Sequence, residues 1–180
     1  MHKDELWQVF TNNGQPVEGH GELDNIFSKD TSLVMGNAHV WFWSEHDGKR
    51  AILLQKRSKD RKRSPGKYHI SAAGHINVDE TPVDTAVRET QEEMGVTLDV
   101  SKLYFVQTVR GGRSGESLNS IFIYQTNIDE EFSFDDGEVE SFKWVSLSDF
   151  KNMIKTPDNH NLVDQGYDYF SEVIKAVERQ

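Results

Sequence analysis

Residues Gly74 to Val96 read GHINVDETPVDTAVRETQEEMGV, and they carry the strongest local signals in the chain. Thr81 is a good N-cap, Pro82 suits the first helical position, and Asp84 stands where a capping-box acid belongs. Gly95 stops the run. The stretch predicts a helix over 81–94, with Val83, Val87, Thr90 and Met94 spaced as one inward face. Glu89, Glu92 and Glu93 fall at i, i+3 and i+4, so three carboxylates crowd another face, expected to meet solvent. Like charges at that spacing repel by roughly 0.2–0.5 kcal/mol per pair, and something should offset them. Hard divalent cations suit oxygen donors, which favours Mg²⁺ or Mn²⁺ over Zn²⁺.

Working outward, His39–Trp43 and Ala51–Gln55 are rich in aromatic and branched apolar residues and read as strands, with Asp47-Gly48 as the turn between them. Trp41 and Trp43 alternate with Phe42, so one side of that strand is expected to face a core or pocket. Tyr68–Ala73 reads as a short strand ending at Gly74, and Leu103–Val109, Ser120–Thr126 and Phe142–Val145 as further strands. Ser148–Ile154 and Gly166–Val177 read as helices, the latter with Tyr169, Phe170, Val173, Ile174 and Val177 as its buried stripe. Asn12–Pro16 is a turn signal. Strands interleaved with helices indicate an α/β or α+β layered fold. Residues 1–180 are expected to form one domain, with 1–36 as an N-terminal extension packed on it and 165–180 as a C-terminal helix.

Composition narrows the class. The 180 residues hold 20 bases and 30 acids for a net charge of −10, with 36% hydrophobic and 28% charged residues. That is ordinary globular usage, and no apolar run suits a bilayer span, so no membrane partner is expected. Met1–Glu5 bears acids where a secretory signal is basic and then apolar, so no targeting segment is read. There is no cysteine, which excludes disulfide scaffolds, thiolate zinc sites and thiol nucleophiles, and fits a cytoplasmic location. Between Lys56 and Lys67 stand seven bases and one acid, Asp60. No aromatic interleaves them before Tyr68, and the chain is acidic, so nucleic acid is not the expected partner. The basic run reads either as a solvated loop without function or as a phosphate clamp for a small molecule. In the second reading Arg57 and Arg61 are the candidates, because arginine grips phosphate with two parallel donors.

The string Gly74, Glu80, Arg88-Glu89, Glu92-Glu93, Gly95 resembles the Nudix box at every charged and glycine position, with Thr90 where that signature usually has an aliphatic residue. The resemblance to the Nudix hydrolase superfamily implies an α/β/α sandwich with a mixed β-sheet. It implies hydrolysis of a diphosphate linked to another moiety, with Mg²⁺ as cofactor and Mn²⁺ as a substitute. By the same likeness, Glu89, Glu92 and Glu93 hold metal, the carbonyl of Gly74 joins them, and Glu80 and Arg88 brace the loop against the helix. Glu89 is the first candidate for general base, with Glu138 and Glu140 as outside candidates.

The opening ELWQVFTNNGQPVEG, then GNAHVWFW and ILLQKRSKDRKRSPGKYHISAAGH, also resemble the isopentenyl-diphosphate isomerase branch and its hydrolase relatives. The isomerases carry a catalytic cysteine where this chain has Ala73, and they break the Arg-Glu pair that is intact here as Arg88-Glu89. Of their extra histidines, His39 and His75 match two; Ser32 stands in the region of a third, and Ser117–Ser120 supplies no acid. The hydrolase reading is therefore preferred, with an isomerase or a non-catalytic binding module as the alternatives. Arg110–Gly115, basic and glycine-rich, is a candidate specificity loop.

Overall fold

The long strand β3 (Leu33–His46) organises the molecule. Its residues are buried almost without interruption from Val34 to Ser44, as in a strand covered on both faces. Ala38, Val40 and Phe42 point to one core, Trp41 and Trp43 to another. The expectation that a single side of this strand is covered is corrected accordingly: Trp41 and Phe42 are both fully buried. The computed structural model describes residues 6–21, 33–111, 115–133 and 137–180. Ser32 and residues 112–114 of the glycine-rich segment lie outside the described residues.

Nine strands join one mixed sheet among the described residues. On one edge β3 pairs in parallel with β8 (Ser117–Gln125), and β7 (Leu103–Gly111) lies antiparallel outside β8. The other edge of β3 meets three partners in turn. β1 (Trp7–Thr11) covers its start, β6 (Ala72–His75) its middle and β4 (Lys49–Arg57) its end. The β3–β4 hairpin turns through Asp47 and Gly48, both at positive φ, the backbone that a two-residue hairpin loop requires. Beyond β4 lies β9 (Val139–Ser146), while β2 (Pro16–Gly21) pairs with β1 across the turn read from Asn12–Pro16. The stretch expected as one strand over Tyr68–Ala73 is two: β5 (Tyr68–His69) pairs with β4, then the chain crosses to β3 as β6.

Helix α1 (Pro82–Met94) packs on the face of Ala38, Val40, Phe42 and Leu53. Helices α2 (Leu147–Met153) and α3 (Tyr167–Glu178) cover the Trp41 face. The buried stripe of α3 is the one expected, with Ala176 added. The result is an α/β/α sandwich. No helix among the described residues is long and apolar enough to cross a membrane.

Candidate active site

The caps of α1 form as the sequence dictates. Thr81 Oγ1 accepts from the Asp84 N–H, the Asp84 carboxylate accepts from the Thr81 N–H, and Gly95 closes the helix at φ 69°. Its buried face includes the expected stripe and extends beyond it. Thr85, Ala86, Thr90, Glu93 and Met94 are buried, while Val83 and Val87 are only partly so. The face is centred near Ala86 and Glu93, because α1 settles on the small residues Ala38 and Ala72 of the sheet. Glu93 is consequently 4% exposed rather than solvent-facing. Its Oε2 accepts the Ala73 backbone N–H at 2.9 Å. Glu93 is thereby fixed on the backbone of Ala73, next to Gly74.

Arg88 gathers the remaining charge. It donates twice to Glu80, at 2.7 and 3.0 Å, in a two-pronged pairing. The same guanidinium reaches Glu89 at 2.7 Å, Glu92 at 3.2 Å and the His75 carbonyl at 3.0 Å. Glu80 also accepts from the Asn77 N–H and the Thr85 hydroxyl. Desolvation raises its carboxyl, but these hydrogen bonds from Arg88, Thr85 and Asn77 outweigh it and hold Glu80 down to about 2. Arg88 itself is pushed above its ordinary value by Glu80 and Glu89 against the cost of burial.

Gly74, on β6, lies under Glu89. A Cβ there would stand 1.8 Å from Glu89 Cδ and Oε1, so only glycine allows the carboxylate this close to the backbone. The oxygen donors of the box thus sit in one neighbourhood. Among the described residues no three histidine or acidic side chains converge as a ready-made ligand set. Arg88 and the Ala73 N–H hold them instead. The donor set is nevertheless all oxygen and mostly anionic, and it fits a hard cation such as Mg²⁺ or Mn²⁺.

Arg57 ends β4, and the basic loop folds back on it. Its N–H donates to the Lys67 carbonyl, its carbonyl accepts from Gly66, and its Nε reaches the Arg63 carbonyl at 3.1 Å. Burial and Arg61 lower its pKa, while Glu93 and Glu138 oppose them, so Arg57 feels the buried carboxylate of α1. Arg61 is ion-paired with Glu138, and Lys56 with Glu140 at 2.6 Å. Glu138 and Glu140, the outside candidates for base, are therefore engaged by the basic loop.

Three histidines are held neutral. His39 is 6% exposed; burial and then His75 bring it down to about 3. The Trp41 indole N–H donates to the Tyr169 oxygen, and that hydroxyl is also hydrogen-bonded with His39 Nδ1 at 2.9 Å. His75 is lowered to about 4 by burial and then by Arg63, Arg88 and Arg61, and its ring stacks on Trp7 at 4.2 Å. His69, brought down to about 3 by burial and then Arg57, meets the Gln165 amide. The sequence reading missed His69, Trp7 and Tyr169 as neighbours of the site. All three depend on pairings between residues distant in sequence.

Residues 36–165 match the NUDIX domain model. The chain belongs to the Nudix family. Over 130 residues it is 32% identical to "Nudix hydrolase 3" of Arabidopsis thaliana, covering 67% of this chain and 17% of that one. It is 28% identical over 109 residues to an isopentenyl-diphosphate Delta-isomerase of Cereibacter sphaeroides, covering 58% of this chain and 62% of the isomerase. The match thus spans less than two thirds of the length of either relative. A solved structure of a Deinococcus radiodurans protein superimposes with a TM-score of 0.65 at 15% identity, over 96% of this chain and 98% of the other, which supports the Nudix fold.

Proposed function

We propose that this Nudix protein is a Mg²⁺-dependent diphosphohydrolase acting on a small organic or nucleoside diphosphate derivative, with Mn²⁺ as a substitute ion. The observation that carries the reading is the Arg88 network. All three box carboxylates are present, and Glu80 holds Arg88 so that Glu89 is fixed against Gly74. The close approach of Glu89 to Gly74 supports the reading by fixing that carboxylate against the backbone.

In this reading the Gly74 carbonyl, Glu89, Glu92 and Glu93 hold the metal. A bound ion would supply charge neutralisation at the diphosphate and a water acidic enough to attack near neutral pH. Glu89 would serve as the general base. Arg57 and Arg61 grip the phosphates, Arg61 exchanging Glu138 for the substrate. Glu80 and Arg88 keep the loop and helix in register. The reading takes residues 1–180 as one domain in the cytoplasm, which the lack of cysteine fits.

An isomerase must deliver and recover a proton at carbon. Ala73, whose N–H binds Glu93, offers no acid, and Asn119 is hydrogen-bonded to Asn37 on the strand where the isomerases bear carboxylates. The test is a panel of nucleoside, sugar and prenyl diphosphates incubated with Mg²⁺, with product analysis. Cleavage between phosphoryl groups that stops on chelation supports the proposal. Conversion of isopentenyl diphosphate without phosphate release makes the chain an isomerase. Binding with no turnover makes it a recognition module.

A further inference from the structure

Residues 6–11 precede the stretch that matches the NUDIX model, yet they hold the loop leading from Gly74 to α1. β1 pairs with β3 through Val9–Thr11, and the chain before Val9 continues onto the loop itself. The Gln8 N–H donates to the Ile76 carbonyl at 2.8 Å, the Val78 N–H donates to the Leu6 carbonyl at 2.9 Å, and Trp7 bridges Asn77. The Trp7 ring lies nearly parallel to His75, 14° between planes at 4.2 Å. Asn77 in turn donates its N–H to Glu80, which holds Arg88.

This contact is more than packing because the loop has no slack. Gly74 meets Glu89 closer than any side chain would allow. The His75 carbonyl is an Arg88 acceptor, and the Asn77 N–H is a Glu80 donor. A shift of the loop by a fraction of an ångström would disturb all three at once. We propose that Trp7 is a positioning residue of the catalytic loop, holding residues 74–80 in the register that sets Gly74 against Glu89 and Glu80 against Arg88. The proposal rests on the metal-dependent reading above for its functional consequence, and on geometry alone for its structural one.

The test uses the full chain with Trp7→Ala, Trp7→Phe and, as a control on the same strand, Val9→Ala, which trims a buried side chain without touching the stack. Mn²⁺ alone is titrated by electron paramagnetic resonance, and amide hydrogen exchange is read at residues 76–80. Losing a partner that orients ligands typically weakens metal binding about 10–100-fold. Trp7→Ala should weaken Mn²⁺ binding by at least about tenfold and speed exchange at Val78, whose N–H donates to the Leu6 carbonyl. Trp7→Phe should stay within about twofold of the parent, and Val9→Ala should lower the melting temperature with Mn²⁺ affinity unchanged. A folded Trp7→Ala protein with parental affinity and exchange overturns the proposal, as do equal Mn²⁺ losses in Trp7→Ala and Val9→Ala. If the parent binds no Mn²⁺, the metal reading is the one that fails. Exchange then decides alone: unchanged protection at Val78 in Trp7→Ala overturns the positioning role, and lost protection supports it.

Discussion

The Glu89 carboxylate rests against the Cα of Gly74, closer than any other residue at that position would permit. Gly74→Ala should therefore drive Glu89 off the loop. Turnover should fall by about 10–100-fold, the range expected when an orienting contact to a metal site is lost. Steady-state kinetics at saturating Mg²⁺ measure this, and a parental kcat would mean that Glu89 takes no part.

Glu92 and Glu93 should part company in stability though not in activity. The Glu92 side chain is 48% exposed, so Glu92→Gln should leave folding stability within about 0.5 kcal/mol of the parent. Glu93 is buried on the Ala73 N–H, and removing a charged acceptor there should cost about 1–3 kcal/mol in Glu93→Ala. Both changes should cut turnover by at least about tenfold. Urea unfolding beside kinetics separates the two effects.

Acid should loosen the loop through Glu80. Its folded pKa, about 2, lies below its ordinary value of 4.5, so the stabilisation is fully present above pH 4.5 and is lost as pH falls towards 2. His39 adds to the trend, since a group held at about 3 against an ordinary 6.5 favours the unfolded, protonated chain as pH drops below 6.5. In Glu80→Gln the fall in stability between pH 4.5 and 2 should be shallower. Unfolding curves over that window decide it, and parallel profiles would dismiss the Glu80 contribution.

Thr90 carries a buried hydroxyl without a partner among the described residues. Thr90→Val keeps the shape and removes an unpaired polar group whose burial costs about 1–3 kcal/mol. A gain of about 1 kcal/mol with kcat unchanged is the expected outcome, read by chemical denaturation and kinetics.

Much of α1 was legible because its signals are local. Thr81, Pro82, Asp84 and Gly95 act within a turn of themselves, and the helix begins and ends where they say. The inward stripe was legible too, since Thr90 and Met94 are buried and Val83 and Val87 pack against the same core. What was not legible is how far that face extends, to Thr85, Ala86 and Glu93. The full length of β3 was equally hidden, since Met35-Gly36-Asn37 is strand only because β1, β6 and β8 line it. The acids of the box were singled out by their spacing and by the likeness to the Nudix signature. The direction of Glu93, the Trp7 stack and the Tyr169 hydroxyl beneath His39 emerge only from tertiary pairing.

The parallel pairing of β3 with β8 joins Asn37 to Asn119, 82 positions apart. During synthesis the apolar run from Val40 to Trp43 therefore emerges from the ribosome with that edge bare, and waits until Gln125 has been made. The hairpin with β4 forms early, but closure must follow the slow search that such distant pairings impose. In that interval the nascent chain presents an unprotected aromatic strand, the kind of surface that chaperones guard and that neighbouring chains capture.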